Sequence, residues 1–155
     1  MTGRIDRRLA ELGIELPEPS RPGANYVPFT WSGKQLFLTG QLSQWNGERR
    51  FIGKLGREFG VEEGRQAARL SALNLIAHLR AALDGDLDRV SRCLRLAGYV
   101  NSLPSFTEQS KVANGASEFL VELFGEPGKH VRAAVGVNTL PLDAAVEIEF
   151  VFELR

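Results

Sequence analysis

The chain of 155 residues lacks several features that would point to a particular class of protein. It has a single cysteine, Cys93, so it cannot form an intrachain disulfide, which is typical of a reducing compartment. Nineteen basic residues balance nineteen acidic ones, so no excess charge favours nucleic acid or an anionic membrane as partner. No apolar run is as long as a membrane span, and the amino-terminal MTGRIDRRLAEL lacks the apolar core of a secretory signal. These absences predict a soluble cytoplasmic protein.

The composition and the apolar pattern predict one α+β domain. A chain of this length with 43% apolar and 25% charged residues is able to bury its own core. Amphipathic helices alternate with apolar strands, which favours a two-layer sandwich with two helices on one face of a mixed sheet. Residues 1–23 are predicted to form an N-terminal helix and linker, and residues 24–155 the domain itself. The predicted elements are helices at 3–13, 61–83 and 104–125, a hairpin at 26–41, a strand within 89–101 and two terminal strands.

The two terminal strands contain charged residues, Arg132, Glu147 and Glu149, between their apolar residues. We interpret them as an antiparallel hairpin around a Leu-Pro turn. If Val135 and Val137 pack on the helices, Arg132 lies on the opposite face of its strand. Glu147 and Glu149 point away from the apolar face of theirs, so one of them is predicted to lie near Arg132. A guanidinium beside a carboxylate offers an anchor for a substrate carboxylate and a nearby acid or base, although a solvated cross-strand ion pair fits the same pattern.

Residues 132–149 read RAAVGVNTLPLDAAVEIE. This segment resembles the carboxy-terminal signature of the Rid family, also called YjgF-like proteins and formerly L-PSP endoribonucleases. That signature is an Arg, alternating small and apolar residues, a Leu-Pro turn and an apolar-Glu-Ile-Glu strand. The resemblance extends over residues 24–154 through further segments in the same order: NYVPF, LFLTGQLS, GKLG and ANGASEFLVELFG. It implies a chorismate-mutase-like fold and a homotrimer with a site at each subunit interface.

The resemblance also implies an activity. The archetypal members hydrolyse 2-imino acids, the enamine/imine products of amino-acid dehydratases, to 2-keto acids and ammonia, and this chemistry demands no metal or cofactor. By the same resemblance Arg132 binds the carboxylate of a small metabolite, and Glu147 positions the attacking water. The other matching positions are a backbone contact at Gly40, within Thr39, Gly40 and Gln41, and polar residues near the pocket at Tyr26 and Asn114.

Two departures from the family pattern leave the activity open. The family commonly has a cysteine two residues after the arginine, where this chain has Ala134, so hydrolysis would have to run through Glu147 and water. The N-terminal extension and a longer loop at residues 43–56 are candidates to cover a pocket or change its size. The alternative function is a non-catalytic binding module that holds a 2-keto acid or similar carboxylate at Arg132. RNA cleavage, suggested only by the old family name, is disfavoured by the zero net charge and the lack of a histidine pair.

Other candidate residues fit structural roles better. His78 and His130 show no metal-ligand spacing, and a surface or helix-packing role is expected for each. Cys93 lies among apolar residues and is predicted to be in the core. Trp45 is expected to pack, or to line the entrance of the site. The sequence has neither a Gly-x-Ser-x-Gly elbow nor a phosphate-binding loop.

Overall fold

A computed structural model describes residues 2–155, which form a helical layer and a six-stranded mixed sheet. The elements in chain order are α1 Arg4–Glu11, β1 Phe29–Ser32, β2 Gln35–Leu38, β3 Gln41–Leu42, β4 Gln44–Trp45, β5 Glu48–Arg49, α2 Val61–Ala82, β6 Val90–Asn101, α3 Gln109–Phe124, β7 Val131–Val137 and β8 Val146–Leu154. The sheet order is β1-β2-β8-β6-β7, with β3 also paired to β8, while β4 and β5 form a separate ribbon. β6 and β7 are parallel and the other pairs antiparallel. The predicted α+β fold is confirmed.

The long helices α2 and α3 pack on one face of the sheet. α2 has Glu62 and Glu63 in its first turn, where carboxylates interact favourably with the helix dipole. It ends before Gly85, whose positive φ of 91° suits a helix terminus. Ile5 and Leu9 of α1 join the same core as the long helices. The largest buried side chains of this core include Phe119, Phe150, Phe152, Leu75, Ile76, Leu79 and Leu96.

α2 and α3 approach each other closely at Gly115. A Cβ at this position would overlap the backbone carbonyl of Arg65 on α2. Because a backbone atom cannot move aside easily, Gly115→Ala is expected to lower the free energy of unfolding by about 1–3 kcal/mol. Gly23→Ala is the matched control, since a Cβ there would meet nothing within 4 Å. Urea unfolding of both variants tests the prediction, and an unchanged midpoint for Gly115→Ala would contradict it.

The second long helix begins later than the sequence predicts. α3 starts at Gln109 instead of Pro104. The intervening backbone forms other hydrogen bonds: the Leu103 N–H donates to the Leu55 carbonyl at 3.1 Å, and the Phe106 N–H closes a turn on Leu103 at 3.0 Å. These residues therefore join the end of β6 to the loop before α2, and the helix begins only after that connection is made.

The predicted terminal hairpin is wrong. β7 and β8 are not neighbours, because β6 lies between them and pairs with both. α3 carries the chain from β6 to β7 as a crossover, and a crossover makes this strand pair parallel. β8 then pairs with the opposite edge of β6 in the antiparallel direction. β7 and β8 are consequently separated by two strand spacings, roughly 10 Å.

The side chains of β7 also face the opposite way from the prediction. Val135 is 46% exposed, whereas Arg132 hydrogen bonds with Asn114 on α3. The physical reason is that the helix-facing side of β7 carries the small residues Ala134 and Gly136, which let α3 lie close. A Cβ on Gly136 would stand 2.8 Å from a side-chain nitrogen of α3. The valines of this strand therefore belong to the outer face of the sheet.

The outer face of the sheet is left uncovered by α2 and α3, which both pack on the inner face. Val131 is 70% exposed there and Phe37 is 40% exposed. Exposed apolar side chains grouped on one surface are typical of a contact with another protein chain. Strand register places on this face the apolar residues Phe37, Val131, Ala133, Val135 and Val151 and the acidic residues Glu147, Glu149 and Glu153.

Candidate functional site

A cleft of about 360 Å³ lies at the start of β8, and three of the predicted site residues, Tyr26, Gly40 and Glu147, line it together. Glu147 is paired with Leu42 of β3. The chain between β2 and β3 passes beside its carboxylate at Gly40. A Cβ on Gly40 would lie 2.8 Å from Oε1 of Glu147, so any larger residue here would displace the Glu147 carboxylate. The sequence therefore places bare backbone against a carboxylate inside a cleft.

The Glu147 carboxylate is half-buried and takes part in none of the ion pairs of residues 2–155. Its neighbour Glu149 pairs with Arg95 at 3.2 Å and accepts a hydrogen bond from the Tyr99 hydroxyl at 3.3 Å. Burial, and then the charge of Glu149, raise the pKa of Glu147 above its ordinary value of 4.5. A carboxylate with a raised pKa is a stronger base when ionised, so Glu147 is the candidate general base.

One wall of the cleft comes from residues 14–28, here called the strap, of which the sequence predicts residues 14–23 as a surface linker. The Ser20 hydroxyl donates to Gln41 Oε1 at 3.1 Å and lies 3.2 Å from His78 Nε2. Gln41 Nε2 donates to the Thr39 carbonyl at 3.3 Å, which orients the amide. Because the single Ser20 proton goes to Gln41, His78 must donate its Nε2–H to Ser20. Burial lowers the pKa of His78, which agrees with a neutral ring that anchors the strap.

Thr39 holds the end of the strap and does not line the cleft. Its hydroxyl donates to the Val27 carbonyl at 2.7 Å, and its backbone N–H donates to the Pro28 carbonyl at 2.9 Å. These bonds fix the turn that brings Gly40 beside Glu147. Thr39 therefore holds the strap in position without lining the cleft.

Arg132 and Asn114 form a second cluster at the β7 edge of the sheet. Arg132 Nη1 donates to Asn114 Oδ1 at 2.8 Å and to Ser117 Oγ at 3.0 Å, while Nη2 donates to Ser110 Oγ at 2.7 Å. His130 Nε2 lies 2.9 Å from the same Ser117 hydroxyl, and burial lowers the pKa of this histidine. All of these partners are uncharged, so the guanidinium is oriented without being neutralised. Nη2 also donates to the Ser110 carbonyl at 3.2 Å, so a ligand carboxylate would bind this charge at Nε–H or in place of the serine hydroxyls.

The two clusters do not meet within one chain. Through the intervening strand β6, Arg132 is in register with Phe150 on the inner face, whereas Val135 is in register with Tyr99 and Glu147 on the outer face. Paired residues share a face of the sheet. The prediction that Arg132 lies near Glu147 or Glu149 across a hairpin is therefore wrong, because β6 separates β7 from β8 and the two glutamates leave the sheet on the face opposite to Arg132.

Cys93 does not replace the thiol that is missing at Ala134. It is buried, as predicted, and burial raises the pKa of its thiol to about 12. Ala134 is paired with Gly98, which lies five residues, or about 16 Å, further along β6 than Cys93. A buried and protonated thiol this far from Ala134 does not take the place of the family cysteine.

Three further observations concern the surroundings of the site. Of the loop at residues 43–56, Gln44 lines the cleft, whereas Trp45 is not among the lining residues. In the described part of the chain, no three or more His, Cys, Asp or Glu side chains are grouped so that they could hold a metal ion. No helix within residues 2–155 combines the length and the apolar character needed to cross a membrane.

A mixed sheet with two long helices on one face and a glutamate-containing cleft at the start of β8 is typical of a chorismate-mutase-like α+β protein. The chain belongs to the YjgF-like, or Rid, family: residues 6–154 match the family described as "YjgF/chorismate mutase-like, putative endoribonuclease". This match confirms the family resemblance carried by residues 132–149.

Relatives of similar length support the same assignment. Protein TCP17 of Trypanosoma cruzi is 49% identical over 155 residues, which cover 99% of this chain and 96% of that protein. A crystal structure of an Agrobacterium tumefaciens protein of unknown function has a TM-score of 0.91 and 46% identity, covering 97% of this chain and 92% of that one. A Shewanella oneidensis structure has a TM-score of 0.94 and 37% identity, covering 98% and 100%. The similarity thus includes the strap and not only the sheet.

Proposed function

We propose that this protein hydrolyses small 2-imino acids and their enamine tautomers to 2-keto acids and ammonia. The observation that carries the proposal is the Glu147 carboxylate, which lies in a cleft and has a pKa raised by burial. Perturbed titratable groups in clefts are enriched at catalytic sites. Membership of the Rid family supports the same reaction, since its archetypal members hydrolyse 2-imino acids.

We also propose that the complete site forms between the subunits of a homotrimer. A closed ring, in which each chain offers its Arg132 edge to the Glu147 cleft of the next, brings one guanidinium to one carboxylate at every interface. The exposed Val131 and Val135 on the outer face of the sheet suit burial in such a contact. The candidate residues then divide into a cleft half, with Tyr26, Gly40 and Glu147 and with Thr39 supporting them, and an anchor half, with Arg132 and Asn114.

The proposed reaction needs an oriented substrate and one base. Arg132 of one subunit binds the substrate carboxylate through its N–H groups. The water oxygen attacks the carbon of the protonated imine while ionised Glu147 of the next subunit takes a proton from the water, which gives a neutral carbinolamine. Protonated Glu147 then transfers this proton to the amino nitrogen, the C–N bond breaks and ammonia leaves. The hydroxyl releases its proton to water as the C=O bond of the 2-keto acid forms.

A coupled assay tests the proposal. An amino-acid dehydratase or oxidase releases the 2-imino acid, and semicarbazide traps what remains after a fixed time. The wild-type protein is expected to accelerate imine loss above the rate in buffer. No acceleration would contradict hydrolysis. Calorimetric binding of a 2-keto acid that disappears in Arg132→Ala would then assign a binding module without chemistry, the alternative favoured by Ala134 at the position of the family cysteine.

Nucleic acid is not the proposed substrate. The two histidines lie in separate clusters, His78 against Ser20 and His130 against Ser117, so they do not form the acid–base pair that attack by a 2′-hydroxyl requires. The proposed partners are a small carboxylate-bearing metabolite and two further copies of the chain. A reducing cytoplasm is the proposed location, since the single Cys93 is a free thiol.

A further inference from the structure

We propose that Arg21 selects ligands with a second carboxylate, so that the cleft prefers 2-imino and 2-keto dicarboxylic acids to their monocarboxylic analogues. This inference rests on the proposed function, because it names the substrate class of the same cleft. Arg21 lies on the strap and lines the cleft with Glu147. Among the described lining residues it is the one arginine or lysine.

The charge of Arg21 is available to a ligand. Arg21 is exposed and takes part in none of the ion pairs of residues 2–155, in which eight of the fifteen arginines have a carboxylate partner. Glu147 is the one carboxylate that lines the same cleft, and it is not paired with Arg21. A guanidinium at a cleft that is not paired with a protein carboxylate is free to bind the carboxylate of a ligand.

The backbone that carries Arg21 is held in place. Ser20, the preceding residue, is hydrogen bonded to the buried His78 on α2. Pro19 and Pro22 flank this pair of residues, and each fixes its own φ angle near −65°. Less conformational entropy is therefore lost when the Arg21 guanidinium binds a ligand. An exposed arginine on this backbone binds a carboxylate more tightly than one on a mobile loop.

The proposed site thereby has one guanidinium for each carboxylate of a dicarboxylic acid. Arg132 from the neighbouring subunit binds the carboxylate next to the imine carbon, and Arg21 binds the carboxylate at the end of the substrate side chain. A cleft of about 360 Å³ lies near the lower end of the range for small-molecule sites, which suits a short-chain metabolite. The reacting carbon lies between the two anchors, near Glu147.

Isothermal calorimetry with two five-carbon probes tests this preference. 2-Oxoglutarate and 2-oxopentanoate have the same chain length and differ in the terminal group, which is a carboxylate in one and a methyl in the other. The wild-type protein is expected to bind 2-oxoglutarate about tenfold more tightly, and Arg21→Ala is expected to remove this difference, whereas Arg21→Lys retains part of it. Arg49→Ala is the matched control, because Arg49 is an exposed arginine on β5 that does not line the cleft.

A second variant tests the anchoring of the strap. Ser20→Ala removes the contact with His78 and leaves Arg21 in place. It is expected to reduce the preference for 2-oxoglutarate about threefold, since the guanidinium is then held less firmly. Ser105→Ala, at an exposed serine that does not line the cleft, controls for loss of a surface hydroxyl. Thermal melting of each variant checks that the fold is retained.

Kinetics separate this inference from the proposed function. An amino-acid oxidase supplies the imines of glutamate and of norvaline, and Arg21→Ala is expected to raise KM for the glutamate imine about tenfold with a much smaller fall in kcat. Equal binding of the two probes, no binding of either, or no effect of Arg21→Ala would overturn the inference, even if imines are hydrolysed. A clear preference in binding without any hydrolysis would support the role of Arg21 and overturn the proposed reaction.

Discussion

Glu147→Gln is expected to lower kcat for imine hydrolysis by about 10²- to 10⁴-fold, because glutamine cannot take a proton from water. Binding of a 2-keto acid is expected to remain, since the amide has nearly the shape of the carboxylate and still fits beside Gly40. The coupled assay and calorimetry measure the two quantities separately. An unchanged kcat would contradict the role of Glu147 as base, and loss of binding with kcat unchanged would assign it to ligand binding alone.

Glu149→Gln is the matched control for this prediction, and it has an effect of its own on the pH profile. The acid limb of kcat/KM reports the pKa of the base in the free protein. Since the pKa of Glu147 is raised above 4.5, activity is expected to fall on the acid side at a pH above that value. Removing the charge of Glu149 lowers the pKa of Glu147, so Glu149→Gln is expected to retain hydrolysis and to move the acid limb to lower pH.

The raised pKa of Glu147 also determines how stability depends on pH. A carboxyl group with a raised pKa in the folded state contributes stability that is fully present below its unfolded pKa and is lost as the pH rises through its folded pKa. Ionised Glu147 therefore destabilises the fold at about pH 7. Glu147→Gln is expected to resist urea at least as well as wild type at that pH, with no such gain below about pH 4.5. A loss of activity in this variant is thus distinguishable from a loss of fold.

Random assembly of Arg132→Ala chains with Glu147→Gln chains is expected to restore about one quarter of the wild-type activity. Each variant alone lacks one half of every site; Arg132→Ala alone is expected to lose at least about 100-fold in kcat/KM, because a charge-assisted anchor is removed. In the whole population of randomly assembled trimers, each interface has an even chance of an intact Arg132 and, independently, an even chance of an intact Glu147. About one interface in four then has both residues.

Two measurements make this mixing experiment decisive. Light scattering is expected to give about three times the chain mass of 17.1 kDa, and a monomer would contradict the interface site. The two variants, assembled separately and mixed without subunit exchange, are expected to remain inactive. If the whole site lay within one chain, no chain in either mixture would have both residues, and co-expression would restore nothing.

The sequence predicts the faces of β8 correctly and those of β7 incorrectly, for one physical reason. An alternating pattern shows which residues of a strand share a face, but not what that face contacts. In β8 the apolar face, with Phe150, meets the helices, as expected. In β7 the apolar face, with Val135, lies on the open side of the sheet. Val131 and Val135 are exposed in the single chain. The alternating pattern of a strand contains no information about a surface outside that chain.

The contacts of the strap also could not be predicted from the local sequence pattern. The bond between Ser20 and His78 joins residues 58 positions apart, and it depends on the path of a segment without helical or strand period. One signal was present in the sequence: Pro17, Pro19 and Pro22 restrict the backbone around Ser20 and Arg21. A segment with so few accessible conformations is more typical of a fixed path along the surface than of a flexible linker.

The position of β8 has a consequence for how the chain is made. β8 follows every other described strand in the sequence, yet it lies in the middle of the sheet, between β2 and β6. During translation the facing edges of β2 and β6 therefore remain without a partner until residues 146–154 have left the ribosome. Unpaired strand edges of this kind invite association between nascent chains. The sheet closes in one late step, so the appearance of β8, and not the folding of the first helix, sets the moment at which the cleft forms.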